Sequence, residues 1–539
     1  MLRRTFLLSF FCALLVSAQN KPERLNWFRD LGFGMFIHWS VDVSLGSVIS
    51  HSLVGASPEY VTRYYDTLPR YFHPRRFEPD KWAMLAKLAG MKYVVFTAKH
   101  HSGFAMFDTK TTKLNAVNTP FGRDPLKAII DAYRKEGIAI GLYISPDDFH
   151  WMHTNGLPIA RPPAPRTTTK ELPAMLEFGK RQLQELLTNY GKIDILFIDG
   201  PADGLREYAW QLNPDIVVTR GAIETPEQTI PEIILDQPWE ACLTIGTAWQ
   251  HKYTNEAYKT GTDWIRTLIE VRAKGGNLLL NVGPTADGEI FREEEARLRE
   301  FALWSFVNGE AIENVRPWVV DREGDVMLTH NPKSKTVYAF VGGKPFTMGE
   351  RRQIALRSVK LSPQSKVDVL GQSGERLEYR PSVDASTKVR EENGTLHIDM
   401  MHAQRMYDNR RWPNPIVVRI THAQPGFTAP TLSTLSAKWN DAQRCHVLEG
   451  ELKALGSNAS IDVSFHYRKR RGLADLYEAI DPWKNVPYEK KTAAGRFSHC
   501  LMTVPKDGDY EFRAIARHPL GVVFASEAPF RPDSVVKLH

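Results

Sequence analysis

The fold class that this chain of 539 residues predicts is α/β: a (β/α)8-like barrel followed by C-terminal β-sandwich domains. Three observations predict it. From Leu31 to Pro284 short apolar runs alternate with amphipathic helical stretches, the behaviour of repeated β-α units. Polar residues recur where those runs stop. After Trp318 the pattern changes to two-residue alternation broken by turn residues, which is a sandwich signature.

The apolar runs are Phe33 to Trp39, Tyr93 to Thr97, Ala139 to Ser145, Ile193 to Asp199, Asp215 to Thr219, Cys242 to Ile245 and Asn277 to Val282. Between them Asp80 to Leu88, Leu126 to Lys135, Met175 to Tyr190 and Trp264 to Ala273 read as helices, and a further helix from Glu293 to Val307 closes the unit. Seven of the eight strands of a barrel are placed in this way. An open doubly wound sheet would want a glycine-rich phosphate turn after its first strand, and none is present. Beyond the barrel, Thr336 to Val341, Gln353 to Val359, Lys366 to Leu370, Leu396 to Met400 and Ile416 to Ile420 alternate as sandwich strands. The stretch Gln424-Pro-Gly-Phe-Thr-Ala-Pro430 reads as a linker to a smaller module with strands at Ser460 to Tyr467, Phe497 to Val504 and Tyr510 to Ala516. The expected boundaries are 1–18 for a signal peptide, 19–316 for the barrel, 317–424 for the sandwich, and 425–539 for a module of immunoglobulin or fibronectin type.

The first residues carry Arg3 and Arg4, an apolar core from Phe6 to Val16, and a small-residue close at Ala18, the pattern of an export signal. The twin arginine fits folded export and the ordinary route equally well. A secreted or periplasmic protein is expected, with no membrane association once the signal is cleaved. Cys12 lies in the signal, which leaves Cys242, Cys445 and Cys500; buried free thiols are the plain reading, with a Cys445–Cys500 pair as the alternative. The net charge of +7 is diluted by 62 acids and forms no basic stripe with interleaved aromatics, so a nucleic-acid partner is not expected.

The segment from Ile193 to Gly200, Ile-Asp-Ile-Leu-Phe-Ile-Asp-Gly, is the most informative. A carboxylate that ends a doubly buried strand sits on the active-site face of a parallel barrel, and Gly200 admits a ligand close to it. Other runs end in His38, in Lys99-His100-His101-Ser102, in Tyr143-Ile-Ser145 and in Arg220. One terminal histidine is usually a satisfied structural residue. Five strand ends converging on one pocket suit a small polyhydroxylated ligand, whose hydroxyls need directional partners and whose C–H faces need an aromatic wall.

In order, Gly34-Met-Phe-Ile-His38-Trp39, Lys99-His100-His101-Ser-Gly-Phe104, Gly141-Leu-Tyr143, Phe197-Ile-Asp199-Gly200, Trp239-Glu240 and Gly275-Gly-Asn277-Leu-Leu-Leu-Asn281-Val-Gly-Pro284 resemble the α-L-fucosidases of glycoside hydrolase family 29. The resemblance covers Arg29 to Trp318. It implies an exo-acting retaining hydrolase of fucosylated oligosaccharides or polysaccharides, without a cofactor and without a metal. It also implies Asp199 as nucleophile, with His38, His100 and His101 holding sugar hydroxyls beside Tyr143 and Arg220. The family keeps no constant motif for the acid/base. Glu227, close behind Arg220 on the loop after the fifth run, is the choice; Glu240 is the alternative, and Glu59 a third candidate. Glu59 and Trp249 are expected at the substrate.

This chain has Ser57-Pro58-Glu59-Tyr60 where the family has Ser-Glu-Trp, and Trp249-Gln-His-Lys-Tyr253 where it has Trp-Gly-Tyr. The outer pocket wall therefore differs. An apolar wall at Phe33 or Trp249 would face the C5 methyl of fucose and reject an added hydroxyl by only on the order of a hundredfold, which keeps L-galactosides as alternative substrates. Two other classes compete: a non-catalytic carbohydrate-binding protein, which would not need Asp199, and a metal hydrolase. The metal reading is weakened by the adjacency of His100 and His101, because neighbours on a strand point to opposite faces.

Overall fold

Strand β1 (Phe33–Ile37) pairs on one side with β2 (Tyr93–Lys99), which leads through β3 (Ala139–Ile144) and β4 (Ile195–Ile198) to β5 (Val217–Val218). On its other side β1 pairs with β7 (Asn277–Val282), and β7 with β6 (Glu240–Thr244). Every pairing in this seven-stranded sheet is parallel. Residues 224–228 run parallel to β6 along its outer edge, held by Glu240 N–H to Glu224 C=O and Cys242 N–H to Pro226 C=O. The computed structural model describes residues 19–235, 237–407, 411–470, 482–502 and 509–531. The expected signal at 1–18 lies outside them.

The helices begin where the chain chemistry starts them. α1 (Pro22–Leu31), α2 (Pro58–Asp66), α3 (Pro79–Leu88), α4 (Pro125–Lys135) and α6 (Pro173–Asn189) each open on proline, whose missing N–H is no loss in the first turn. Asp148 caps α5 (Phe149–Thr154) by accepting from the Trp151 N–H, and Thr260 with Asp263 forms a capping box on α8 (Gly261–Ala273). α7 (Leu205–Leu212) follows β4, and α9 (Arg292–Asn308) follows β7.

Side chains pointing into the sheet's concave side form a separate aromatic-rich core: Phe36, Tyr93, Val95, Tyr143, Ile195, Phe197, Val217, Cys242 and Leu279. The two-residue period of these positions decides what happens at the strand ends. His38 continues the inward row of Phe36, Asp199 that of Ile195 and Phe197, and Asn281 that of Leu279.

Antiparallel strands follow. Arg316–Glu323, Val326–Asn331, Thr336–Val341, Val367–Val369 and Ile416–Ile420 make a five-stranded sheet, and Arg351–Leu356, Lys388–Glu392 and Thr395–Met401 a three-stranded one. Their apolar faces join the same core as the outer side of the barrel, and the Trp304 indole of α9 donates to the Pro415 carbonyl at 2.8 Å. The last module has its own core around Leu448, Val463, Phe465, Phe497, Phe512 and Ala514. It reaches the barrel through an ion pair between Arg513 and Glu232.

Two expectations change in this module. Cys445 and Cys500 form a disulfide with Cα atoms 5.6 Å apart, so they are not free thiols; Cys242 is free and buried. The module also begins with two ten-residue strands, Thr431–Asn440 and Cys445–Ala454, that the sequence pattern did not mark. The first is half-buried along nearly its whole length, so its residues never separate into an apolar and a polar face. No helix among the described residues is long and apolar enough to cross a membrane.

Candidate active site

Asp199 follows the last residue of β4, and its N–H bonds to the Ile144 carbonyl of β3 at 3.0 Å, which fixes its backbone against the neighbouring strand. Gly200 then turns away at φ +136°, in the region that favours glycine. Three groups converge on the Asp199 carboxylate. The Tyr143 hydroxyl donates to Oδ2 at 2.9 Å, His101 Nε2 lies 3.4 Å from Oδ2, and Arg220 Nε lies 3.3 Å from Oδ1. Burial alone would push this carboxyl up, but His101, Arg220 and Arg161 outweigh it and hold it well below the usual carboxylate range. Asp199 is therefore an anion, aimed into the concave face and 20% exposed, which leaves room for a ligand atom.

The histidines are oriented from behind. His38 Nδ1 is 2.6 Å from Asn281 Oδ1, His100 Nδ1 is 2.8 Å from the Ser50 hydroxyl, and His101 Nδ1 is 2.6 Å from Asp147 Oδ1. Burial lowers His38 to about 4 and His100 well below its ordinary value, so both are neutral imidazoles that can donate or accept. For His101 burial works the same way, but Asp147 and Asp199 overcome it and raise its pKa. The His100 ring stacks on Tyr143 with centroids 5.3 Å apart, and Trp249 packs against His38 at 4.8 Å.

Arg220 bridges the two acids of interest: while Nε faces Asp199, its Nη2 donates to Glu227 Oε2 at 2.6 Å. Glu227 thus stands across one guanidinium from the candidate nucleophile. Its backbone is bridged to Cys242 in β6, which ties this stretch of loop to the edge of the sheet. Its side chain is 42% exposed.

Other expected positions fall elsewhere. Glu240 opens β6 and lies at the amino ends of the strands, opposite to the end that carries Asp199. It is fully buried, accepts from the Tyr93 hydroxyl at 2.5 Å, and is pushed up to about 7 by burial. It is not placed to protonate a leaving group. Glu59 lies in the first turn of α2, exposed, where its own backbone amide and then the Ser57 hydroxyl lower its pKa. Phe33 opens β1 and packs on Phe301 on the outer side of the parallel sheet, 4.9 Å between centroids, so of the two aromatic residues expected beside the sugar only Trp249 lies against His38. His100 and His101 also correct an expectation. β2 ends at Lys99, so the pair sits in the turn beyond the strand, where both rings enter the pocket with centroids 4.5 Å apart.

Four residues that sequence reasoning did not single out belong to the site. His51, from the short 3-10 turn His51–Leu53, places its ring 5.4 Å from His101. Asp147 orients His101, Arg161 lies 3.6 Å from Asp147, and Asn281 orients His38. Asn281 lies in a quoted motif, on the inward row of β7. The others sit in loops whose path no periodicity predicts.

The family model of α-L-fucosidases matches residues 16–310, more than half of the chain. Human plasma α-L-fucosidase is 31% identical over 376 residues, 58% of this chain and 75% of that protein. Rat tissue α-L-fucosidase is 30% identical over 400 residues, 65% and 82% of the two chains. Among solved structures, α-L-fucosidase isoenzyme 1 from Paenibacillus thiaminolyticus superposes with a TM-score of 0.59 at 27% identity, covering 74% of this chain and 98% of its own. A Bacteroides thetaiotaomicron α-L-fucosidase, solved as a trapped covalent intermediate, shares the fold with a TM-score of 0.59 at 23% identity, covering 75% and 97%. The partly exposed acid at the end of β4 and the histidines around it therefore stand in a chain that belongs to the α-L-fucosidase family.

Proposed function

We infer that the protein is an exo-acting retaining α-L-fucosidase, that Asp199 is its nucleophile and that Glu227 is its acid/base. The observation that carries this reading is the anionic carboxylate of Asp199, held by Tyr143, His101 and Arg220 at the carboxyl end of β4.

In the first step an Asp199 oxygen attacks the anomeric carbon and the bond to the leaving oxygen breaks, with Glu227 supplying the proton. In the second step Glu227, now a carboxylate, takes a proton from water while that water attacks the anomeric carbon and releases Asp199. Retaining chemistry needs the two carboxyls about 5 to 5.5 Å apart. Their common contact with Arg220 supports a spacing of that order, and the Glu227 side chain must leave the guanidinium to reach the leaving oxygen. The Tyr143 hydroxyl and Arg220 hold one Asp199 rotamer, which limits the geometry lost on the way to the transition state. His38 and His100, neutral and fixed through Nδ1, present Nε2 to sugar hydroxyls. Trp249 supplies the apolar wall for the C5 methyl.

The substrate is a fucosylated glycan. The separate core of the last module supports its division from the rest of the chain, whereas the stretches 19–316 and 317–424 share one core, so the division between them rests on the change of sequence pattern. The Cys445–Cys500 disulfide favours an oxidising compartment, in line with export through the segment 1–18.

Glu227→Ala tests the acid/base. Hydrolysis of a natural fucoside should fall by about 10² to 10⁴-fold. A fucoside with a strongly activated leaving group should still form the glycosyl-enzyme, and azide should accelerate turnover with α-L-fucosyl azide as product. Unchanged turnover of the natural fucoside would remove Glu227 from the mechanism.

A further inference from the structure

We propose that His51, His100 and His101 form a binding site for a divalent transition-metal ion at the sugar pocket, and that the ion inhibits the enzyme by capturing the Asp199 carboxylate.

The three imidazoles each bring one ring nitrogen to a common point, with all three atoms within 4.8 Å of one another. Two of them are already oriented as metal ligands are. His100 Nδ1 is engaged by the Ser50 hydroxyl and His101 Nδ1 by Asp147, so both direct Nε2 inward. A carboxylate behind a ligating histidine is the usual outer partner of a zinc site. His101 Nε2 is completely buried and, among the described residues, has no hydrogen-bond partner of good geometry; the Asp199 oxygen at 3.4 Å is its nearest counter-charge. A buried ring nitrogen whose one polar neighbour is the Asp199 oxygen at 3.4 Å, set among two more imidazoles, can share a ligand with them and with that carboxylate.

Ser50 braces the cluster from behind. It is a non-glycine residue at φ +60°, a conformation that carries strain, and three contacts hold it there. Its N–H donates to Asp42 at 2.7 Å, and its hydroxyl contacts both His100 Nδ1 and the Ser102 N–H. That constraint sets His51 beside the pair.

Ligand nitrogens about 2.0 Å from a tetrahedral ion stand about 3.3 Å apart, so a cluster whose nitrogens lie within 4.8 Å of one another must contract by up to about 1.5 Å. His51, on a short turn and only half-buried, is the ring able to move. Asp199 Oδ2 then fills a fourth position. All-imidazole donors favour zinc, copper, nickel or cobalt over magnesium and calcium. Arg161 stands near these groups and opposes a cation, but it is paired with Asp147. A bound ion would occupy the hydroxyl-binding face and withdraw the nucleophile, so it competes with substrate and is no cofactor for a retaining reaction.

The test uses the full chain. Equilibrium dialysis against zinc chloride should give one ion per chain, and cobalt(II) should show the intense visible absorption of a tetrahedral site. Zinc should raise the KM for a fucoside without changing kcat, magnesium should have no effect, and EDTA should restore the parent rate. His51→Ala should weaken zinc binding by about tenfold or more, the least expected on losing a ligand, whereas substitution of the exposed His73 should leave it unchanged. His51→Gln serves if the alanine variant does not fold. Dialysis and spectrum do not depend on the fucosidase reading; only the competition with substrate does. Absence of stoichiometric binding, or binding that survives both His51 substitutions, would overturn the proposal.

Discussion

Replacing Glu240 by Gln should stabilise the protein at neutral and alkaline pH and leave fucoside hydrolysis nearly intact. Glu240 is fully buried at the amino end of β6, and burial raises its carboxyl from 4.5 to about 7. A raised acid is more protonated in the folded chain than in the unfolded one. Folding stability therefore falls as pH rises from about 4.5 to about 7, and is level on either side of that window. The gap of about two and a half units corresponds to roughly 3 kcal/mol. Glutamine keeps the acceptor for Tyr93, places an amide beside Thr219, whose hydroxyl and Glu240 Oε1 both lack a partner of good geometry, and does not titrate. The variant should match the parent near pH 4.5 and exceed it by about 5 °C in melting temperature at pH 8, taking the entropy of unfolding of a unit of about 300 residues. Thermal scans at both pH values, with kcat/KM for a fucoside, decide the matter. A Glu240→Gln variant that is less stable at pH 8, or that loses activity by a thousandfold, would refute the reasoning and return Glu240 to the list of catalytic acids.

Two further outcomes follow from the same geometry. Trp249→Ala should remove the apolar wall beside His38, so that the preference for a fucoside over the matching L-galactoside, expected on the order of a hundredfold, falls toward unity in paired kcat/KM measurements; an unchanged ratio places the methyl against another side chain. Reducing the Cys445–Cys500 bond, which closes a 55-residue separation, should destabilise the last module by about 4 kcal/mol while the barrel, with its separate core, keeps its activity. A thermal scan and an activity assay in dithiothreitol check this, and loss of both together would mean that the module supports the barrel.

The curled seven-stranded parallel sheet was legible because its strands are buried on both faces and its helices on one, which leaves strong apolar runs at regular spacing; the eighth strand of a closed barrel is not found among the described residues. Asp199, His38 and Tyr143 could be brought to one pocket because they stand at strand ends, and the structure has each continuing or ending an inward row; their roles came from the family resemblance. Loop residues lacked that support. His51 follows Ser50, which stands at a positive φ, and Asp147 and Arg161 come from the segment after β3, where no periodicity applies. Glu240 misled because adjacency to Trp239 says nothing about which end of a strand a residue occupies; its register with Asn277 settles that. The strand Thr431–Asn440 escaped notice because half-burial on both faces erases alternation.

Incubation with a 2-fluoro-fucosyl fluoride, followed by peptide mass spectrometry, asks directly whether Asp199 is the nucleophile. The adduct should lie on the peptide that contains Asp199, with one label per chain and loss of activity in proportion to labelling. A label on any other carboxylate, or inactivation without a covalent adduct, would contradict the assignment.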